Sequence, residues 1–421
     1  MTRRVLILLF GLYIFSLFIT YYWVLSPMFS YSLLTYHPNL YKLFLSIAII
    51  YFLVITIPPD YEKPSTYLYF ILFTIIFIPT ANYYWLNDQP TSYILSEAVC
   101  FFLIALLIRK KTKAFAIKMN VAVIALKTVF FLYIFACFVL VLHNGGIHFS
   151  DLLSNLYAVR SGNRISGLYG YVLNWCAKSF MPLFFIVFYI KKNWLGVALT
   201  SCLQAMLFLS YGFKAFLIAV VLLIGVAFLM RKPERFNRNW LLVLILGNFF
   251  CLMLAQMIST RPIFLFTYRT LFLPSQGQFE YYDFFTHNPF LYFSEGSLGR
   301  LFGKQYPYSE TIGRVVNHYI YGSSKNSNGN TGAFSYGFAD LGFIGMMLAS
   351  ISIGLVLTLV DASTKRLPVM IPVGAMAYQM ITLNDTNFLI CLNTGGIFWT
   401  IILLILLNST YNKNIAGNSS V

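Results

Sequence analysis

Long apolar stretches alternate with short polar turns along almost the whole chain. A helix needs about 20 apolar residues to cross a hydrocarbon core of about 30 Å, and windows of that length predict about twelve spans. They fall near residues 5–25, 43–57, 67–85, 93–108, 121–142, 170–190, 194–210, 212–230, 240–258, 337–360, 368–384 and 387–408. The pattern predicts an all-α, polytopic integral membrane protein whose single transmembrane domain covers residues 1–421.

Lysine and arginine are concentrated in every second turn between spans, and this pattern predicts which side of the membrane each turn faces. The turns at 109–113, 191–192, 231–235 and 365–366 are rich in positive charge, and those at 87–90 and 384–386 have none. Because cytoplasmic turns of membrane proteins are enriched in Lys and Arg, both termini are predicted to be cytoplasmic. The first span is too long for a cleaved signal peptide and is expected to remain as an anchor. In a bacterial inner membrane, the loops 143–169 and 259–336 then face the periplasm.

The segment 259–336 is the longest polar stretch, and it lies between two apolar spans. Ordinary connections rarely exceed about a dozen residues, so a loop of this length is expected to carry function. Lysines and arginines on the periplasmic side are unexpected, because these residues are enriched on the cytoplasmic side, although this preference weakens for long loops. Glycines beside them would let backbone N–H groups approach an oxyanion, and guanidinium groups grip phosphate in a bidentate way. The predicted diphosphate-binding residues are Arg160, Arg164, Lys214, Arg261, Arg269, Arg300 and Arg314.

The long loop also holds the groups able to take a proton from a hydroxyl. Glu295 follows a run from Asp283 that mixes ionisable groups with aromatic residues, which are good platforms for sugar rings. His318 lies four residues after Arg314, so a helix there would put both on one face. Glu295 and His318 are the predicted catalytic residues, with Glu280, Asp283, Glu310 and His287 as further proton acceptors.

Composition and missing motifs narrow the chemistry. Of 421 residues 59% are hydrophobic and 10% are charged, which excludes an ordinary soluble domain. The net charge of +16 is scattered between apolar spans, so it fits topology better than nucleic acid. The chain has no P-loop, zinc-helix or nucleophile-elbow motif and no D-x-D pair, so no cofactor and no metal is expected. A lipid diphosphate is a leaving group that arginines alone could stabilise.

A family resemblance rests on two features of the sequence. The first is a pair of arginine-bearing outer loops, of which the second is large. The second is a run from Asn328 to Gly345 that changes from polar to glycine-rich. The chain resembles the O-antigen polymerases of the Wzy type, and Lys214 lies where related enzymes often have a Ser-Arg pair. The resemblance implies a GT-C-like glycosyltransferase that joins undecaprenyl-diphosphate-linked oligosaccharides at the periplasmic face. It also implies a chain-length regulator as a partner protein.

Two alternatives remain open. An O-antigen ligase has a similar architecture and depends on a periplasmic histidine, for which His287 and His318 are candidates. A lipid-linked oligosaccharide flippase should concentrate ionisable groups inside its helices. Only a few such groups lie within or near the spans, namely Glu97, Lys127, Lys178 and Asp340, and this scarcity favours an enzyme.

Overall fold

The computed structural model describes residues 3–58, 60–115, 117–148, 159, 162–163, 165, 167–295, 299, 303–322, 329 and 331–411. These residues are helical almost throughout and contain no β-strand. Nine of the described helices are long and apolar enough to cross a membrane: Arg4–Met28, Pro64–Leu86, Thr91–Ile108, Met119–His143, Gly167–Ile190, Trp194–Tyr211, Pro233–Met257, Ala333–Ser363 and Phe388–Thr410. The chain is therefore a multi-pass membrane protein, and the prediction of an all-α polytopic architecture is confirmed at that level.

Shorter helices and π-helical turns complete the bundle. Two apolar helices, Leu40–Thr56 and Lys214–Leu229, fall just below the length of a full span, and Met370–Thr382 and Ile312–Tyr321 are shorter still. Four π-helical turns interrupt the described helices, at Tyr21–Leu25, Phe73–Phe77, Cys176–Phe180 and Phe264–Phe272. Such turns are rare in proteins and occur frequently at functional sites.

The helical run Pro64–Leu86 forms the centre of the bundle, because every residue of its apolar window is buried. A helix that is apolar on all sides is expected to be enclosed by protein. Two buried hydrogen bonds anchor it: Tyr13 donates to the carbonyl oxygen of Thr74 at 3.2 Å, and Trp240 Nε1 donates to Thr74 Oγ1 at 2.9 Å.

At one end of the bundle, here called the basic end, the cation-rich turns meet. Lys63 Nζ donates to the carbonyl of Ile108 at 3.1 Å, and Lys365 Nζ donates to the carbonyl of Thr112. Lys63 thus satisfies the carbonyl of the last residue of helix Thr91–Ile108, which is favourable at a helix C-terminus, and Lys365 binds the segment that follows. The turns 109–113 and 365–366, predicted to share a side of the membrane, do lie at the same end.

The opposite end, here called the loop end, gathers the long polar segment and the outer turns. The backbone N–H of Asn39 donates to the carbonyl of Trp85 at 2.9 Å, and that of Ala333 donates to the carbonyl of Leu383 at 2.9 Å. The hydroxyls of Ser92 and Tyr282 are 2.8 Å apart. Segments distant in sequence are therefore fixed to one another here.

Much of the segment 259–336 is packed helix rather than an outer loop. Three consecutive pieces form one helical run, here called the cross helix: Arg261–Ile263, Phe264–Phe272 and Leu273–His287. Its buried amides reach into the bundle, where Gln276 Nε2 donates to the carbonyl of Ser32 at 2.6 Å and Gln278 Nε2 donates to Thr80 Oγ1 at 3.0 Å. The polar residues that made this segment resemble a loop are those that satisfy buried partners.

The helix Ala333–Ser363, here called the long helix, is broken at Leu341 and Gly342. Gly342 has φ +62° and ψ −143°, a conformation that is essentially restricted to glycine. The N–H groups of Leu291 and Tyr292 bind the carbonyls of Ala339 and Asp340 at 2.8 and 3.1 Å. The break leaves these carbonyls without helical partners, and the neighbouring segment supplies the missing donors.

The two arms of the long helix touch one another at Gly337 and Gly345. A side chain at Gly345 would clash with the carbonyl oxygen of Gly337. Gly345→Ala is therefore expected to destabilise the protein by about 1–3 kcal/mol, as overpacking does, and to lower its thermal unfolding temperature in detergent.

Gly225→Ala is the matched control, because a Cβ at Gly225 meets no atom within 4 Å. Equal unfolding temperatures for the two variants would contradict the close approach of the two arms.

Candidate functional site

The predicted diphosphate-binding residues are distributed over several elements of the structure. Arg261 and Arg269 lie on the cross helix, Arg314 lies on Ile312–Tyr321 and Lys214 begins Lys214–Leu229; all four side chains are exposed. No described carboxylate lies within 4 Å of any of them. Arg160, Arg164 and Arg300 lie outside the described residues.

The loop 143–169 and the turn before Lys214, two of the predicted outer sites, lie next to each other. Asn144 Nδ2 donates to the carbonyl of Ser210 at 2.9 Å, and Asn163 Nδ2 donates to the carbonyl of Tyr211 at 2.9 Å. These bonds join the loop 143–169 to the turn that precedes Lys214. The structure does not join Lys214 to Arg314 through any described hydrogen bond or ion pair.

A different pair of cations converges at the loop end. Lys178 lies on the π-helical turn Cys176–Phe180, and Arg269 lies on the π-helical turn Phe264–Phe272. Both interact electrostatically with Asp385, in the turn after Met370–Thr382. We call these three residues the cation recess.

Asp385 is accessible to solvent, although protein surrounds its carboxylate on most sides. That combination is expected for a residue in the wall of a recess. Removal from water raises the pKa of Asp385, whereas a hydrogen bond from Thr386 Oγ1 at 3.1 Å and the charges of Lys178 and Arg269 lower it. A negatively charged ligand entering here would meet two cations and one carboxylate.

The backbone around the recess is held by side-chain amides. Asn384 Nδ2 donates to the carbonyl of Thr270 at 2.8 Å, next to Arg269. Gln379 Nε2 donates to the carbonyl of Lys178 at 3.0 Å. A π-helical turn leaves carbonyls displaced from the α-helical pattern, and these two amides fix the turns that carry the cations.

A second group, here called the carboxylate–tyrosine cluster, consists of Glu295, Asp340, Tyr281, Tyr306 and Tyr336. The rings of Tyr281 and Tyr336 are 5.5 Å apart, and Glu295 interacts electrostatically with Asp340 and with all three tyrosines. Tyrosine rings next to carboxylates offer both an apolar face and hydrogen-bond acceptors, which suits the binding of a sugar.

Two backbone N–H groups orient the two carboxylates of the cluster. The N–H of Ile312 donates to Glu295 Oε1 at 3.2 Å at the start of helix Ile312–Tyr321, and that of Phe293 donates to Asp340 Oδ1 at 3.0 Å. Glu295 is exposed, and the protein around it shields its carboxylate from water only in part. This effect raises the pKa of Glu295, and the hydrogen bond from Ile312 opposes the increase. A raised pKa is what a general base working near neutral pH requires.

The recess and the cluster are close neighbours. The turn that carries Asp385 is bonded to Ala333, at the start of the long helix, and Asp340 lies seven residues further along the same arm. At a rise of about 1.5 Å per residue, Ala333 and Asp340 are about 10 Å apart along the helix axis. The turn of Asp385 and the carboxylate of Asp340 are thus attached to the same helical arm.

His318 and Arg314 lie one turn apart on helix Ile312–Tyr321. The helix that would place both residues on one face is therefore present. His318 Nδ1 lies 3.7 Å from Glu310 Oε2, while the buried Nε2 of His318 has no hydrogen-bond partner. Arg314 is exposed, so the two predicted residues differ in their environment.

An aromatic-lined cavity of about 780 Å³ opens beside the break in the long helix. Its walls include Phe285, His287, Phe290, Phe338 and Phe343. The sequence run that was predicted to form a platform for sugar rings supplies three of these side chains. Within the described ranges no three His, Cys, Asp or Glu side chains are grouped as metal ligands.

Sequence reasoning missed Lys178 and Asp385 as site residues and gave Asp340 no role there. A lysine inside the apolar stretch 170–190 was a detectable signal, but a lysine near a span end usually extends to the headgroups. Asp385 lies in a short turn, and its sequence gives no indication of the approach of Lys178 and Arg269.

Comparison with known proteins identifies no protein similar to this chain. No protein-family model matches the chain, and neither a curated protein nor a solved structure matches it.

Replacing Glu295 with glutamine tests the environment of its carboxylate. Because the folded-state pKa is raised, the folded protein disfavours the ionised form, so Glu295→Gln should be at least as stable as the wild type at neutral pH. Any gain in stability should disappear as the pH falls below about 3.5, where the carboxyl is largely protonated in both the folded and the unfolded state. Thermal unfolding measured across that pH range is the test.

A Gln variant that is less stable at neutral pH, with the deficit vanishing in acid, would mean that the protein stabilises Glu295 as an anion.

Proposed function

We propose that the protein is a membrane glycosyltransferase that uses a lipid-diphosphate-linked oligosaccharide as donor and a carbohydrate hydroxyl as acceptor. In the form that the family resemblance suggests, it polymerises undecaprenyl-diphosphate-linked repeat units into O-antigen or a related surface polysaccharide. The observation that carries the proposal is the cation recess, whose Asp385 turn is bonded to the start of the helical arm that carries Asp340.

Lys178 and Arg269 bind the diphosphate in this proposal. Two cations on different helices, each fixed on a π-helical turn, can hold a doubly charged group in one orientation. The recess is partly enclosed, so their charges are screened less than in bulk water. The same charges stabilise the leaving group as its negative charge develops, which is where preorganised cations contribute most to catalysis.

The acceptor sugar binds against the tyrosines of the cluster, and Glu295 is the general base. Its carboxylate takes the proton of the acceptor hydroxyl while that oxygen bonds to the anomeric carbon of the donor. The bond from the anomeric carbon to the diphosphate oxygen breaks, and the lipid diphosphate leaves with the electron pair. Asp340 positions Phe293, two residues before Glu295, through their hydrogen bond.

Topology supports the same proposal. Counting Leu40–Thr56, Lys214–Leu229 and Met370–Thr382 as crossings gives twelve, with both termini at the basic end. By the positive-inside rule that end is cytoplasmic, and the loop end faces the periplasm in a bacterial inner membrane. A GT-C-like architecture and a chain-length regulator as partner belong to the proposal through the resemblance alone.

Neutralising the cation recess should reduce glycosyl transfer. Lys178→Gln and Arg269→Gln are each expected to lower the turnover of a lipid-diphosphate-linked donor by roughly 10²–10³, the range for loss of one group that stabilises the transition state. The measurement is the formation of glycan product by protein reconstituted in vesicles.

Arg231→Gln is the control, because Arg231 is an exposed arginine in the 231–235 turn, outside the recess. Its guanidinium group donates to the hydroxyl of Tyr189 at 2.9 Å. Equal turnover in the control and the two recess variants would contradict a role for the recess in the reaction.

Deleting the gene distinguishes the polymerase from its rivals. In lipopolysaccharide from the deletion strain, we expect core carrying a single repeat unit and no ladder, because export and ligation would continue. Bare core without any repeat would contradict the polymerase and indicate a ligase or a flippase. Long lipid-linked chains accumulating in the periplasm would then indicate the ligase.

A further inference from the structure

Glu97 is the most unusual ionisable residue in the membrane-spanning part of the described chain. It lies in the middle of helix Thr91–Ile108, and none of its side chain is exposed. Neither carboxylate oxygen has a hydrogen-bond partner. No described lysine, arginine or histidine lies within 4 Å of it. The mechanism proposed above does not use this residue.

The protonation state of Glu97 follows from its surroundings. An isolated carboxylate in an apolar interior is so costly that such a group takes up a proton instead. The helix that carries Glu97 packs most extensively against the long helix, at an interface that also contains Ser335 and Ser350. Glu97 is accordingly a neutral carboxylic acid, with a proton that no described acceptor holds.

The titratable groups nearest to Glu97 are also buried. Tyr93 and Cys100 lie one turn away on the same helix, and Tyr69 packs against Phe101 from the central helix. The carboxylate of the long helix, Asp340, interacts instead with Glu295 at the loop end. The helix Leu40–Thr56 contributes Phe52, which packs against Phe102, and its Lys42 is paired with Asp88 at 2.7 Å.

Three hydroxyl-bearing side chains, Tyr93, Ser335 and Thr331, lie between Glu97 and the loop end, and none of them is hydrogen-bonded to the Glu97 carboxylate. Tyr93 lies four residues before Glu97, on the same helical face, and interacts with it electrostatically. Its hydroxyl donates to Gln278 Oε1 of the cross helix at 3.0 Å and lies beside Ser335. Ser335 Oγ is 2.7 Å from Thr331 Oγ1. Hydroxyls both donate and accept, so these side chains can pass a proton when the Tyr93 hydroxyl turns from Gln278 towards Glu97 or Ser335.

We propose that Glu97 is a membrane-embedded proton-binding site that exchanges its proton with the loop end through Tyr93, Ser335 and Thr331. The carboxyl O–H bond of Glu97 breaks as its proton binds the Tyr93 oxygen, and each hydroxyl in turn passes its own proton to the next oxygen. A proton that returns from the loop end by the same steps restores the acid. The ligand of this site is the proton alone. The site is separate from the cation recess and does not depend on the glycosyltransferase proposal.

Infrared difference spectroscopy of the reconstituted protein tests the site. At neutral pH, the wild-type spectrum minus that of Glu97→Gln should contain the carbonyl-stretch band of a protonated acid. That band should shift in D₂O and disappear reversibly in alkaline buffer. Glu97→Asp keeps an acid and should move the band rather than remove it, which covers failure of the Gln variant to fold. Glu62→Gln, at an exposed glutamate, should leave the band unchanged.

Absence of the band at neutral pH would overturn the proposal, because Glu97 would then be ionised. A band that neither shifts in D₂O nor responds to alkali before the protein unfolds would also overturn it, since the proton would be fixed.

The route is tested by Tyr93→Phe, which should slow the D₂O shift of the Glu97 band. Tyr69→Phe is the matched control, a buried tyrosine against the same helix whose hydroxyl has no described partner. Equal exchange rates in the two variants would overturn the route through Tyr93.

Discussion

The need to pair every backbone N–H and C=O group inside a lipid bilayer governs this structure. Water cannot serve as a partner in the hydrocarbon core, so a helix can be interrupted there only where protein supplies the missing bonds. The break at Leu341 and Gly342 is possible because the N–H groups of Leu291 and Tyr292 bind the freed carbonyls. The same chain segment then leads directly to Glu295, so the pairing that repairs the helix also brings the carboxylate to the cluster.

The π-helical turns show the same constraint on a smaller scale. Each shifts the register of a helix by a fraction of a turn, and the carbonyls it displaces must find donors. At Lys178 and Thr270 these donors are the side-chain amides of Gln379 and Asn384. Asn384 precedes Asp385, so the residue that secures one π-helical turn also holds the carboxylate with which both cations interact. Backbone repair and site geometry therefore have a common origin.

Hydropathy predicted an all-α polytopic membrane protein, and nine helices of the described residues are long and apolar enough to cross a membrane, because a continuous apolar run has no stable alternative to a membrane helix. The break in the long helix could not be predicted, since it depends on a distant segment as donor. The cross helix was missed for a related reason: Gln276 and Gln278 look like loop residues until their buried partners are known. Arg269 was identified from its unusual position, whereas Asp385 could be recognised only from the approach of distant helices.

The central helical run Pro64–Leu86 has a consequence for biogenesis. Ser65 donates both its backbone N–H and its hydroxyl to the carboxylate of Asp361, at 2.9 and 2.6 Å. An early helix is thus tied to a partner synthesised almost 300 residues later. The central run is inserted long before its final neighbours exist, and it must be sheltered by lipid or by the insertion machinery until the last third of the chain emerges. Maturation of the bundle is therefore a late, post-insertion event.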